Sequence, residues 1–161
     1  MVGVFLYAPQ DFRNLCANAR TLEVLGHRQI HVFDPWRLIR DRYGKARSRQ
    51  MRDISGGAFE KIEWIRVDEP SAFFRQFSAR VVATVAETSA TPLTEFVFQP
   101  DDLVVFGGES QGLPPEVVER AGARVTIPSS GETQSLNVAV ALGIVAFEAA
   151  RQRGALNARV G

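Results

Sequence analysis

A single cysteine, Cys16, rules out an internal disulfide framework in this chain of 161 residues and fits a reducing compartment. It has no CxxC partner and reads as structural; no metal site is expected. Long hydrophobic runs are missing too. The longest, Val138 to Phe147, falls well short of the roughly 20 residues that cross a bilayer, so no membrane partner is expected. The amino-terminal stretch lacks the basic start, apolar run and cleavage site of a secretory signal, and the expected location is the cytoplasm. Charge of one sign is not in excess. The 19 basic and 18 acidic side chains leave a net +1, which by itself argues nothing about nucleic acid. There is no internal repeat and no low-complexity tract. The glycine-rich stretch from Gly107 to Gly112 is no P-loop, because no Lys-Ser/Thr follows it, and it is no Rossmann fingerprint.

The composition that remains, 45% hydrophobic and 23% charged, is that of an ordinary globular domain. One domain with one sizeable core is expected over residues 1–153, followed by a flexible tail at 154–161. Short apolar or β-branched runs predict strands at Val2–Tyr7, Gln29–Phe33, Ile62–Val67, Arg80–Ala86, Leu103–Phe106 and Arg124–Ile127. Helices are predicted at Asn14–Leu25, ended by Gly26, at Ser71–Phe77 with Ser71 as cap, at Pro114–Ala121, and at Leu136–Gln152. Strands alternating with helices imply an α/β fold with a mostly parallel sheet flanked by helices.

Between Trp36 and Arg52 lie seven basic residues (Arg37, Arg40, Arg42, Lys45, Arg47, Arg49, Arg52) against one acid, Asp41. With Trp36 and Tyr43 among them, the segment suits a phosphate backbone with bases stacked on its aromatics. A solvated basic loop accounts for it equally well. It is predicted to be an irregular or weakly helical connection.

Three strands end in loops rich in small and polar residues: Ala86–Thr91, Gly107–Pro114 and Pro128–Gln134. Loops at the carboxyl ends of parallel strands are where open sheets bind ligands. Their backbone groups at close range suit an adenosine-like ligand, and Gly107-Gly108 serves close approach or a sharp turn. Taken singly, the polar residues here have bland explanations. Glu109 reads as a solvated carboxylate, Ser135 and Asn137 as helix caps, and Arg20 as solvated or paired with Glu23.

Together the segments resemble the SPOUT class of RNA methyltransferases, specifically its SpoU (TrmH-like) 2′-O-ribose branch. Asn14-Leu-Cys-Ala-Asn-Ala-Arg20-Thr21, running on to Gly26, is similar to the family's first motif. Leu103-Val-Val-Phe-Gly-Gly-Glu109-Ser-Gln-Gly112-Leu113 is similar to the second. Ile127-Pro128 with Ser135-Leu136-Asn137-Val138-Ala139 and Phe147-Glu148 is similar to the third. The likeness runs over essentially the whole chain, including Ala83-Thr84 and Pro92-Leu93. Asp11 and Arg13 depart from the family's usual Asn and Gly, and Cys16 replaces a common glycine.

The resemblance implies a C-terminal deep trefoil knot, a homodimer with an active site across the interface, and S-adenosyl-L-methionine as cofactor. It implies 2′-O-methylation of RNA, tRNA more than rRNA because the chain shows no appended RNA-binding domain; no DNA partner is expected. A catalytically silent RNA-binding or assembly factor on the same fold is the alternative. The implied catalytic residues are Arg20, Asn14, Glu109, Ser135 and Asn137. The cofactor would lie among Thr84, Phe106, Gly107, Gly108, Gly112, Ile127, Ser135, Leu136 and Ala139. RNA would meet Arg13, Arg20, Arg37, Arg40, Arg42, Lys45 and Arg47. In this family the motif arginine, here Arg20, is proposed as base or hydroxyl activator; because a free arginine is protonated at neutral pH, holding phosphate with its planar fork is the simpler role.

Overall fold

The computed structural model describes residues 1–39, 48–133 and 135–156. Among these residues seven parallel strands form one sheet: β1 (Gly3–Tyr7), β2 (Gln29–Phe33), β3 (Glu63–Arg66), β4 (Val81–Thr84), β5 (Thr91–Pro92), β6 (Leu103–Phe106) and β7 (Ala123–Thr126). Their spatial order is β3-β2-β1-β6-β4-β7-β5. Among the described residues six helices accompany them: α1 (Phe12–Val24), α2 (Ser48–Ser55), α3 (Ala58–Lys61), α4 (Pro70–Gln76), α5 (Pro115–Arg120) and α6 (Val138–Gln152).

Alternation along the strands divides the core into two layers. On β1, Val4 and Leu6 face a large cluster with Leu15, Ala19 and Leu22 of α1 and Leu142, Val145 and Ala149 of α6. Phe5, between them, faces a second cluster with Phe74 of α4 and Val117 of α5. The expected parallel sheet with helices on both faces is therefore present. An ion pair locks the base of the sheet. Arg80 reaches Asp102 through Nε–Oδ1 at 2.8 Å and Nη2–Oδ2 at 2.7 Å, and the Asp102 side chain is fully buried.

Several expected boundaries shift, each for a local reason. Helix α1 begins at Phe12, because Asp11 caps it by accepting from the Arg13 N–H at 2.7 Å. Helix α4 begins at Pro70, so Ser71 lies inside its first turn and is not the cap. The basic connection is firmly helical at its end: α2 buries Met51 completely and Ser55 almost so. The Ser55 hydroxyl accepts the Phe59 N–H at 3.1 Å, which joins α2 to α3. Strand β5, unanticipated, is two residues long and is held by pairing with β7. Gly154, at φ +62°, and an Ala155 N–H bond to the Ala150 carbonyl close α6.

Candidate active site

The strand order makes β6, β4 and β7 neighbours, so the three small-residue loops stand side by side along the carboxyl edge. Thr84 ends β4 with its hydroxyl donated to the Val105 carbonyl at 2.9 Å. Phe106 is buried at the end of β6. The two following glycines serve backbone packing. A Cβ on Gly107 would run into the backbone of Gly112 and Leu113, and one on Gly108 would lie 2.6 Å from the Ala8 carbonyl oxygen. Gly112 turns at φ +64° and donates its N–H to the Gly108 carbonyl at 3.0 Å. The loop thus closes on itself and pins Glu109 against the start of α1.

Glu109 is exposed but fully engaged. Its carboxylate accepts the backbone N–H of Gln10 at 2.7 Å, that of Asp11 at 3.2 Å, and Nδ2 of Asn14 at 2.9 Å. Taken singly Glu109 reads as a solvated side chain; here it is bonded instead, because free N–H groups before a helix attract a carboxylate. Asn14 is the hinge of the cluster, because its Oδ1 also accepts Nδ2 of Asn137 at 3.3 Å. Asn137 meanwhile caps α6 through the Ala139 N–H at 2.8 Å. Capping and site-building are therefore one arrangement. Ser135 and Leu136 are exposed beside it, and Ile127 and Ala139 are half-buried.

Arg20 stands apart from this cluster. Six residues beyond Asn14 on α1, it is displaced about 9 Å along the axis and turned to another side. Among the described residues it pairs with no carboxylate; Glu23 is taken by Arg28 and Lys61, each at 3.4 Å. Arg20 instead borders a groove of about 330 Å³ lined by Thr21, Val24, Leu25, Gly143 and Phe147. A wider groove, about 610 Å³, continues along Leu93, Gly143, Ile144 and Phe147. Val24, Val140, Ile144 and Phe147 are all exposed on this α1–α6 face.

Of the expected RNA contacts, Arg13 and Arg37 are exposed, Arg13 with its guanidinium 5.8 Å from the Phe12 ring centre. Arg40, Arg42, Lys45 and Arg47 lie outside the described residues. Burial, with Asp11 nearby, pushes the Cys16 thiol up and away from reactivity. Gln10 was missed from sequence. Besides its N–H bond to Glu109, its side chain accepts the Ser110 N–H at 3.2 Å. Its position directly before the α1 cap was the available signal.

A sequence model of the SpoU rRNA Methylase family matches residues 1–147. The chain belongs to this family. Among SpoU relatives, it is 33% identical over 147 residues to the 23S rRNA (guanosine-2′-O-)-methyltransferase RlmB of Acinetobacter baylyi, covering 89% of this chain and 56% of that protein. It is 32% identical over 163 residues to the tRNA (cytidine(34)-2′-O)-methyltransferase of Ancylobacter novellus, covering 95% and 94%. An AdoMet-bound rRNA methyltransferase from Sinorhizobium meliloti superposes with a TM-score of 0.77 at 27% identity, over 97% of this chain and 57% of that one. The chain thus spans little more than half of the two rRNA methyltransferases and nearly all of the tRNA methyltransferase.

Proposed function

We propose that this SpoU protein is an S-adenosyl-L-methionine-dependent RNA 2′-O-ribose methyltransferase whose substrate is tRNA. The observation that carries the reading is the Asn14–Glu109–Asn137 cluster. Three residues drawn from the three motifs are hydrogen-bonded at the carboxyl edge of the sheet. The tRNA preference is supported by the end-to-end match to the Ancylobacter enzyme.

The residues present fit the cofactor. Three adjacent loops offer backbone groups, and Leu136 and Ile127 offer apolar surface for an adenine ring. When bound, S-adenosylmethionine supplies an electrophilic methyl on a sulfonium. The chain must orient a ribose 2′-hydroxyl in line with that methyl and help its proton leave. Both Glu109 oxygens are occupied by N–H donors, so Glu109 acts as a positioning residue for Asn14 and the start of α1. Asn14 and Ser135 then orient the ribose, and Arg20 holds the neighbouring phosphate.

Arg20 serves the site of a second copy. This reading is supported by its separation from Asn14 and by the apolar α1–α6 face it borders. A homodimer buries Ile144 and Phe147 there and completes two sites. A knotted C-terminus is supported by the strand order. β7 lies between β4 and β5, which are joined by residues 85–90, so that connection spans the exit of β7 on the way to α6. Work in the cytoplasm goes with a tRNA substrate; among the described residues no helix is long and apolar enough to cross a membrane.

The test is ribose-methylation mapping of total RNA from cells with and without the gene. One tRNA 2′-O-methyl position should vanish. Loss of an rRNA position would redirect the substrate, and loss of none would leave a silent RNA-binding factor as the better account.

A further inference from the structure

The exit of β2 carries an aromatic ring that stands in solvent at the carboxyl edge. Trp36 is 61% exposed; the only other exposed aromatic among the described residues, Phe147, lies on α6. The turn that carries Trp36 is held firmly. Asp34 is buried, and its two carboxylate oxygens accept the N–H groups of Leu38 at 2.9 Å and Ile39 at 3.0 Å. Its carbonyl accepts the Arg37 N–H at 3.2 Å. The turn places Arg37 at φ +54°, a conformation that side-chain-bearing residues rarely adopt. A ring and a cation are thus presented in succession on a pinned turn, and the acid in that turn is spent on backbone.

The turn is also tied to the candidate active site. The Ala8 N–H donates to the Phe33 carbonyl at 2.9 Å, and Gly108, next to Glu109, packs against the Ala8 carbonyl. Phe33 and Tyr7, half-buried with ring centres 5.2 Å apart, end the paired strands β2 and β1. In the order β2-β1-β6, the two exits lie about 10 Å apart at ordinary strand spacing. A nucleotide adjoining one held at the β6 loop can reach Trp36.

We propose that Trp36 and Arg37 form a platform for the nucleotide flanking the methylated one, the indole stacking on its base and the guanidinium holding its phosphate. The proposal rests on the RNA-methylation reading above. An indole face accepts any base and a neighbouring guanidinium suits phosphate. Trp36 is therefore an affinity residue for the RNA, outside the methyl-transfer machinery.

Trp36 and Trp64 are the two tryptophans of the chain. Trp64 is half-buried, stacked on Phe59 at 4.6 Å with its indole N–H on the Phe59 carbonyl. A Trp64→Phe background makes Trp36 the sole indole fluorophore. Unfractionated tRNA should quench that emission, while inorganic polyphosphate, which has charge but no bases, should not. In the wild-type background, Trp36→Ala should raise the Michaelis constant for tRNA roughly 10-fold or more with kcat little changed, and Trp36→Phe should restore most of it. An unchanged Michaelis constant, quenching reproduced by polyphosphate, or a Trp36→Ala chain of altered oligomeric mass overturns the platform. If the wild-type protein methylates neither tRNA nor rRNA, the RNA-methylation reading fails, and the fluorescence comparison still decides whether Trp36 stacks on bases.

Discussion

Asn14 donates its side-chain N–H to Glu109 at 2.9 Å across 95 residues of sequence. The same carboxylate holds the two backbone N–H groups that precede α1, so it fixes both Asn14 and the helix that carries it. Glu109→Gln replaces one acceptor oxygen by an NH2 that must face a donor. Methyl transfer is expected to fall at least about 10-fold, with a modest drop in melting temperature. Labelled-methyl incorporation and a thermal melt check this; full activity would mean that Glu109 does not position Asn14.

Arg20 lies outside that cluster, so its removal should separate chemistry from cofactor binding. In Arg20→Ala, methyl transfer is expected to be abolished while calorimetry shows unchanged binding of S-adenosylmethionine. Loss of cofactor affinity would assign Arg20 a different role. If Arg20 serves the other copy's site, mixing Arg20→Ala with Asn14→Ala chains should restore part of the activity in the mixed dimers.

The apolar α1–α6 face gives a test of assembly. Ile144 and Phe147 are 40% and 51% exposed. Phe147→Asp places a charge there that a dimer would have to bury. Light scattering should show twice the 17.8 kDa chain mass for the wild type and the single mass for the variant.

His27 makes stability depend on pH. The residue is 4% exposed, Nε2 has no partner among the described residues, and burial beside the positive amino terminus lowers its pKa from 6.5 to about 4. The unfolded chain therefore binds this proton more readily. Stability is fully present above pH 6.5 and is lost as pH falls towards 4, by about 2 kcal/mol at pH 5. His31, lowered mainly by burial, acts in the same direction. Urea denaturation at pH 7 and pH 5 measures the loss, and His27→Gln should flatten most of it.

The Arg80–Asp102 pair should behave as a buried lock. Asp102→Ala leaves the Arg80 guanidinium, 24% exposed, without its partner and frees the Gln99 N–H that Asp102 accepts at 2.8 Å. A loss of about 3 kcal/mol is expected, read from the denaturation midpoint. An unchanged midpoint would show that solvent replaces the pair at no cost.

Local patterns made some elements readable and left others hidden. Strands Gln29–Phe33 and Leu103–Phe106 match their expected bounds, because a short apolar or alternating run between turn residues is a local signal. Helix α2 was obscured by its arginines; its stability comes from burying Met51 against the core, a contact no window of sequence contains. Strand β5 has only its pairing with β7 to define it.

The site divides along the same line. Residue order alone supplied its chemistry: Asn14, Glu109, Ser135 and Asn137 in family register, glycines where loops turn, and one apolar terminal helix, because motif spacing and side-chain type are properties of the chain. Folding decided which of them meet. Asn137 reaches Asn14 across 123 residues because α6 packs on α1 and β6 lies beside β1. Folding also left Arg20 on another side of the same helix, at an apolar face. Helical rotation and sheet order are three-dimensional facts, so only the tertiary structure could divide one set of motif residues between a site and a surface.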